Sequence, residues 1–171
     1  MPDSLPNPAQ GHQQIVIVTG PSGAGRSTAI NILEDIGFEA IDNLPISLLQ
    51  RLLEGPPSAR PLAVGIDVRN REFSAQGVQD LLDWLARSGW AATQVLYLDA
   101  SEDVLVRRFS ETRRRHPLAP DSSPIVGIRA EAELLIPVRE QAHILMDTSE
   151  LTPHDLKAAL VEWFAPDGEA N

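Results

Sequence analysis

The 171-residue sequence contains no cysteine, a single lysine and no long apolar run. Without cysteine there can be no disulfide framework, and this composition fits a cytoplasmic protein without demonstrating that location. No stretch approaches the roughly 20 apolar residues that a membrane-spanning helix needs, so we predict no membrane association. Residues 1–14 have neither a basic flank nor an apolar segment, which predicts a flexible tail and not a signal peptide. A second flexible tail is expected at 165–171.

The charge is strongly negative, with a formal net value of −10 at pH 7. This argues against a broad nucleic-acid surface, because such a surface needs an excess of cations facing phosphates. Lys157 is the only lysine, so 13 of the 14 cationic residues are arginine. The hydrophobic share of 43% and the length favour one globular domain, expected at residues 15–164.

Five short apolar segments are typical of buried strands and alternate with helical patterns. The first, third and fourth are almost continuously apolar, as strands covered on both faces are. Regular alternation of strand and helix predicts parallel strands joined by right-handed crossovers. The expected fold is therefore α/β, a three-layer sandwich with a five-stranded parallel sheet. The predicted strands are 15–19, 39–42, 62–67, 94–99 and 143–147.

The helical patterns also carry signals for where helices begin, bend and face the core. Ser101 and Thr152 are expected to be N-caps, because each precedes an amphipathic stretch. Pro137 should kink the helix predicted at about 128–141. In the last helix we expect Leu156, Leu160 and Trp163 to face inward.

A glycine-rich turn follows the first predicted strand and fits the spacing G-x-x-x-x-G-[KR]-[ST]. Glycines let the backbone wrap a phosphate with its N–H groups inward, and the start of the next helix adds favourable partial charge. The interpretation is a phosphate-binding P-loop of an NTPase-like or kinase-like fold. The alternative is an ordinary tight strand-to-helix turn. The predicted phosphate-contacting residues are Gly20, Pro21, Ser22, Gly23, Ala24, Gly25, Arg26 and Ser27.

Two residues of this turn have predicted chemical roles. The Ser27 hydroxyl is a candidate Mg²⁺ ligand. Arg26 occupies the position at which such loops usually carry lysine, and its guanidinium is longer, planar and forked where an ammonium is a compact point charge. We therefore expect nucleotide binding to be retained and hydrolysis to be weak, with Arg26 as a candidate catalytic residue.

Every predicted strand after the first ends in aspartate, which places four carboxylates at the sheet edge where α/β folds bind ligands. Asp67 is the preferred candidate for catalysis and for holding Mg²⁺. Asp99 and Asp147 are expected mainly to support turns or helix caps. For Asp42, capping of the next helix and approach to a second ligand beside the γ-phosphate both stay open.

Five arginines lie within residues 107–117, ahead of a segment expected to be an exposed loop at 116–127. Three interpretations are open: a lid whose arginines close over phosphate charge, a solvated helix face, or an RNA-contacting patch. The four histidines show no metal-ligand spacing, so no structural metal is predicted.

Six segments are distributed over nearly the whole chain: "GPSGAGRST", "ILEDIGFEAIDNLP", "IDVRN", "LYLDA", "RRFSETRRRHPL" and "ILMDTSE". Together they resemble the RapZ/YvcJ family of bacterial P-loop nucleotide-binding proteins. The resemblance implies binding of ATP and GTP with slow hydrolysis. It also implies a second nucleotide-contacting segment formed by Asp67, Val68, Arg69 and Asn70.

The sequence departs from the family pattern in two respects. Arg26 replaces the usual lysine, and the family's C-terminal domain, which is associated with RNA and metabolite binding, is absent from these 171 residues. Some family members act as adapters that bind small RNA, but this role is not assigned to the present chain.

The leading hypothesis is a regulatory nucleotide-binding domain whose shape is read by a C-terminal domain or a protein partner. A small-molecule kinase with an arginine-rich lid is the alternative from another class, and an RNA-binding adapter is the third. The sequence does not distinguish ATP from GTP and does not reveal the oligomeric state.

Overall fold

Five parallel strands form one sheet in the computed structural model, which describes residues 13–54, 60–66, 74–88, 91–112 and 123–164. The strands are β1 (Gln13–Thr19), β2 (Glu39–Asp42), β3 (Leu62–Gly65), β4 (Ala91–Asp99) and β5 (Ile144–Asp147). The strand order is β2-β3-β1-β4-β5, and all four neighbouring pairs are parallel. All five predicted strands are present, but β1 and β4 start two and three residues before the predicted positions and β5 starts one residue after it. The prediction that the third strand extends beyond Gly65 is wrong at Ile66, and Asp67 lies outside the described residues.

The central strand β1 pairs with β3 on one side and with β4 on the other. Successive side chains of a strand point to opposite faces, so its apolar run supplies both layers of the core. Val16 and Val18 belong to one buried cluster, whereas Ile15 and Ile17 belong to the other. This is the two-sided burial that the continuous apolar run predicts.

Helices cover both faces and complete the predicted three-layer sandwich. The helices are α1 (Arg26–Asp35), α2 (Ile46–Glu54), α3 (Ala75–Ser88), α4 (Glu102–Thr112), α5 (Pro124–Leu134), α6 (Ile136–Glu140) and α7 (Pro153–Phe164). α1, α4 and α7 contribute to the cluster that contains Val16, and α2, α3 and α6 contribute to the opposite cluster. No helix that the structure describes has both the length and the apolar character needed to cross a membrane.

α5 takes the chain from one face of the sheet to the other. Ile128 in this helix packs in the cluster of Val16, whereas Leu135, directly after it, packs in the opposite cluster. The single helix predicted near 128–141 is thus two helices that meet at Leu135. Pro137 lies in the first turn of α6, where its missing N–H costs nothing, and it prevents α5 from continuing.

Both predicted N-caps are present. The Ser101 hydroxyl accepts a hydrogen bond from the Val104 N–H at 3.3 Å. At the start of α7 the Thr152 hydroxyl accepts from the Asp155 N–H at 3.1 Å, and the Asp155 carboxylate accepts from the Thr152 N–H at 3.0 Å. This reciprocal arrangement is a capping box.

The inward orientation predicted for Trp163 is wrong, because 58% of this residue is exposed. α7 buries Leu156, Leu160 and Phe164, which repeat at four-residue intervals. Trp163 is one residue away from the end of that stripe, and one residue turns the side chain by about 100° around the helix axis. The large aromatic side chain therefore points away from the core.

Candidate functional site

The glycine-rich turn joins the end of β1 to the start of α1, at the carboxyl edge of the sheet. Gly20, Gly23 and Gly25 have positive φ angles of 139°, 93° and 111°, which side chains rarely permit. The Pro21 carbonyl accepts the Ala24 N–H at 3.1 Å, and Gly25 is the N-cap of α1. The predicted strand–loop–helix context is present, and all eight residues from Gly20 to Ser27 lie together in it.

The carbonyl groups of this loop are held by two side chains from distant parts of the chain. The Arg108 guanidinium on α4 donates to the Gly23 carbonyl at 2.8 Å and to the Thr148 carbonyl at 2.7 Å. The Thr148 hydroxyl, which is almost completely buried, donates to the Ala24 carbonyl at 2.6 Å. These bonds hold the loop carbonyls toward Arg108 and Thr148.

A cavity of about 280 Å³ adjoins the loop on the side of Arg108. Partial burial and the neighbouring Arg107 lower the pKa of the Arg108 guanidinium. The lining combines polar groups with apolar carbon, since Leu151 and Pro153 face the same space as Thr28 and Arg108. The cavity thus offers both polar and apolar contacts next to the loop.

Arg26 lies beside Asp42, at the end of β2, with its Nε atom 3.3 Å from the Asp42 Oδ1 atom. The side chain of Arg26 is 10% exposed and that of Asp42 is 37% exposed. The cation of the loop is therefore engaged by a carboxylate of the neighbouring sheet edge. Ser27, the next residue, is exposed in the first turn of α1.

A buried carboxylate that the sequence analysis missed also contacts the loop. Glu131, on α5, accepts the Ser22 N–H at 2.7 Å and the Ser22 hydroxyl at 2.8 Å. Its exposed fraction is 0%. The signal in the sequence is a glutamate at the inward position between Ile128 and Leu135, which are three and four residues away.

Asp99 and Asp147 each accept a hydrogen bond from a residue one or two positions further along the chain, as expected for carboxylates that support turns. Asp147 accepts the Ser149 N–H at 2.8 Å, and the hydrogen bonds from Ser149 lower the pKa of this carboxyl. Asp99 accepts the Ala100 N–H at 2.9 Å and lies 3.3 Å from the Arg139 guanidinium.

Several predicted residues lie outside the described part of the chain. The second nucleotide-contacting segment, Asp67 to Asn70, is among them, and so are the three consecutive arginines 113–115 and both predicted tails apart from residues 13–14. Within the arginine cluster, the described residues Arg107 and Arg108 differ. Arg107 is exposed, whereas Arg108 bonds to the loop. The interpretation of the arginine cluster as a solvated helix face therefore does not apply to Arg108.

Tyr97, the only tyrosine of the sequence, gives the site region a spectroscopic probe. Burial raises the pKa of its phenol well above the ordinary value of 10.0, and Asp99 acts in the same direction. A group whose pKa is raised by folding contributes stability that is complete below its unfolded pKa and is lost as pH rises above that value. We expect no tyrosinate absorbance in the folded protein at pH 10, whereas the chain unfolded in guanidinium should titrate near pH 10. If the Tyr97 phenol of the folded protein titrated near the ordinary pKa of a tyrosine, that result would contradict its burial.

Comparison with solved structures identifies the same fold elsewhere. Shikimate kinase from Acinetobacter baumannii, solved in complex with shikimate, superposes with a TM-score of 0.63. The match covers 88% of this chain and 92% of that one, at 19% sequence identity. The chain thus has a P-loop kinase-like fold.

Sequence comparison identifies much nearer relatives. A nucleotide-binding protein of Dinoroseobacter shibae is 62% identical over 164 residues, which cover 96% of this chain and 55% of that protein. A nucleotide-binding protein of Ruegeria pomeroyi is 60% identical over 151 residues, which cover 88% of this chain and 53% of that protein. The chain spans about half the length of these curated relatives. Since residues 13–168 match the family model for the RapZ-like N-terminal domain, the chain belongs to that family.

Proposed function

We propose that this domain binds ATP or GTP together with Mg²⁺ and serves as a regulatory domain with slow NTPase activity. The observation that carries the proposal is the loop from Gly20 to Ser27, whose carbonyls at Gly23 and Ala24 are bonded to Arg108 and Thr148. The Ser22 and Ala24 N–H groups donate within the protein, to Glu131 and to the Pro21 carbonyl. Holding the carbonyls to one side leaves the other N–H groups of the loop and the start of α1 to bind phosphate. The curated relatives, named nucleotide-binding proteins, support the proposal.

The cavity beside the loop is our candidate site for the base. It adjoins Gly25 and Thr28, so a nucleotide with its phosphates in the loop can place its base there. The planar guanidinium of Arg108 offers a stacking surface, and Leu151 and Pro153 offer apolar contacts. None of these groups selects adenine over guanine, which fits binding of either nucleotide.

The residues around the loop fit a hard divalent cation. Ser27 is exposed in the first turn of α1, and no described hydrogen bond engages its hydroxyl. An oxygen ligand at that position suits Mg²⁺, which would neutralise phosphate charge when bound. In the proposal Asp67 supplies the second protein contact to the metal.

Slow hydrolysis is supported by the position of Arg26. Transfer of a phosphoryl group needs cationic groups aimed at the charge that develops on the phosphate oxygens. The Arg26 guanidinium instead lies 3.3 Å from the Asp42 carboxylate, which offsets its charge. Binding by the backbone of the loop does not need this cation, whereas rapid turnover does. The regulatory output would then be a nucleotide-dependent shape, read by a C-terminal domain or a protein partner.

A small-molecule kinase is the second candidate, favoured by the partly exposed Asp42 carboxylate beside the loop cation. A carboxylate in that place could accept the proton of an acceptor hydroxyl. The two functions separate in an assay of ATP consumption with a panel of hydroxylated metabolites. Strong stimulation by one acceptor would establish the kinase and exclude the regulatory proposal. Of the two described arginines of the cluster, Arg108 is bonded to the loop and only Arg107 is exposed, so we do not propose RNA binding.

The test of the proposed function is a calorimetric titration with non-hydrolysable ATP and GTP analogues, with and without Mg²⁺. We expect both analogues to bind, and to bind about tenfold more tightly with Mg²⁺, a gain of about 1.4 kcal/mol. Ser27→Ala should lose most of that gain, since it removes the hydroxyl ligand.

Adenosine and guanosine, which lack phosphate, are the controls and should show no Mg²⁺ dependence. If saturating triphosphate changes neither the heat signal nor the melting temperature of the wild-type protein, the proposed function is wrong. An unchanged Mg²⁺ dependence in Ser27→Ala would contradict the metal assignment alone.

A further inference from the structure

The cavity beside the loop is lined by side chains of a restricted chemical range. Its polar side chains are those of Thr28, Arg108, Thr148 and Thr152, and the other lining residues are apolar or glycine. Reading one base by hydrogen bonds needs a fixed donor beside a fixed acceptor, as the amide groups of Asn and Gln provide for adenine. Within the described part of the chain, no side chain of the lining carries an amide or a carboxylate.

The backbone carbonyls of the lining are the other possible acceptors, and five of them already accept hydrogen bonds within the protein. The Arg108 guanidinium donates to two, the Thr148 hydroxyl to a third, and backbone N–H groups to two more. A base amine that approached these oxygens would have to share or displace an existing hydrogen bond. The five carbonyls are those of Gly23, Ala24, Gly25, Thr148 and Thr152.

The hydrogen-bonding groups that stay available can serve any base. The Arg108 guanidinium makes three hydrogen bonds, and its remaining N–H groups can only donate. Every base carries ring-nitrogen or carbonyl acceptors, so a donor alone does not separate one base from another. The Thr28 hydroxyl has no hydrogen bond among the described residues, and a hydroxyl can rotate either to donate or to accept.

The lining also offers contacts to the flat face of a ring. The planar Arg108 guanidinium can stack on a base, and Leu151, Pro153 and Leu156 provide apolar contacts. Stacking tolerates different bases because each of them has a π-face. A site rejects a wrong ligand strongly when that ligand leaves buried polar groups unpaired, whereas most polar groups of this lining pair with one another.

We propose that the cavity accepts the base of any nucleoside triphosphate, pyrimidine as well as purine. This inference rests on the proposed function, in which the loop binds the phosphates and the cavity holds the base. Affinity then comes from the phosphates, from Mg²⁺ and from stacking, and each base adds a similar amount. The domain would respond to nucleoside triphosphates as a class.

The experiment is a calorimetric titration of the wild-type protein with non-hydrolysable analogues of ATP, GTP, CTP and UTP in the presence of Mg²⁺. We expect the four dissociation constants to lie within about fivefold of one another, with the larger purines at the tighter end. Ribose 5-triphosphate, which has no base, should bind at least about tenfold more weakly than ATP because it cannot stack. A wider spread among the four nucleotides would overturn the proposal. Equally tight binding of ribose 5-triphosphate would also overturn it, since the base would then not use the cavity.

Pro153→Ala tests whether all four bases use the same cavity. Loss of the proline ring removes apolar contact, so we expect each analogue to bind about threefold more weakly and ribose 5-triphosphate to bind as before. Pro124→Ala is the matched control, because Pro124 is also the first residue of its helix and does not line the cavity. A loss confined to one base would contradict the proposal.

Failure of the base assignment can be told apart from failure of the proposed function. If the wild-type protein binds none of the four triphosphates, the proposed function is wrong. If it binds ATP and GTP while CTP and UTP bind more than about fivefold more weakly, the proposed function stands and only the acceptance of every base is wrong.

Discussion

Replacing Gly20 by alanine is expected to lower the free energy of unfolding by roughly 3–5 kcal/mol. A Cβ atom at this position would overlap the carbonyl oxygen of Leu98, which belongs to the neighbouring strand β4 and is fully buried. The Leu98 backbone lies within the sheet and cannot move aside without breaking strand pairing. The φ angle of 139° adds strain for any residue with a side chain. Urea denaturation, analysed for midpoint and slope, measures the loss.

Gly37→Ala is the matched control for Gly20→Ala. Gly37 also has a positive φ, 115°, but a Cβ atom there would meet no atom within 4 Å. Only backbone strain applies, so we expect a loss of about 1 kcal/mol. If both variants lost the same free energy of unfolding, the loop would have to move enough to remove the overlap with Leu98. The loop would then not be fixed against β4. Nucleotide binding should disappear in Gly20→Ala and persist in Gly37→Ala.

Arg108→Ala should weaken binding of the ATP analogue by about 100-fold. The truncation leaves the carbonyls of Gly23 and Thr148 without their charged donor and removes one wall of the cavity beside the loop. The loop can then rotate its peptide groups away from the orientation that binds phosphate. Calorimetry gives the affinity, and a thermal melt identifies any part of the effect that comes from unfolding.

Arg107→Ala tests whether the Arg108 effect is specific or a consequence of lost positive charge. Arg107 is exposed and is the preceding residue of the same helix, so the change in net charge is the same. We expect less than about a threefold loss of affinity. Similar losses in both variants would mean that long-range attraction, and not support of the loop, is what Arg108 provides. Arg108→Lys should be intermediate, because an ammonium cannot bond both carbonyls in the geometry of the planar guanidinium.

Most of the fold could be predicted because its strands are short and flanked by helical patterns. The run from Ile15 to Val18 is apolar at every position, which identified a strand buried on both faces. Helix orientation was less predictable. Leu48 and Leu52 fit the apolar stripe of α2, yet they are 47% and 49% exposed, and Trp163 points outward from α7. An apolar pattern shows that a helix has a face to bury but does not fix how far the neighbouring layer extends over it.

The loop of the candidate site was predictable because its spacing is local, whereas its supports were not. The contacts of Ser22 with Glu131, Gly23 with Arg108 and Ala24 with Thr148 span 109, 85 and 124 residues. Such pairs depend on which strands are neighbours and on where α5 crosses the sheet. Of these three supporting residues, only Glu131 could be noticed in the sequence, because it is an acidic residue on an otherwise apolar helical stripe. The ion pair of Arg26 with Asp42 likewise could not be predicted without knowing that β2 lies at the edge of the sheet.

The position of β1 also determines how the molecule resists partial opening. All seven of its residues pair with β4, and the four from Ile15 to Val18 pair with β3 as well, whereas β2 and β5 are each paired on one side of the described sheet. Edge strands open more readily than a central strand, so local fluctuations can separate β2 or β5 from the sheet while β1 stays paired. The proposed phosphate-binding loop begins at the end of this central strand, so fraying of β2 or β5 would leave the start of the loop in place.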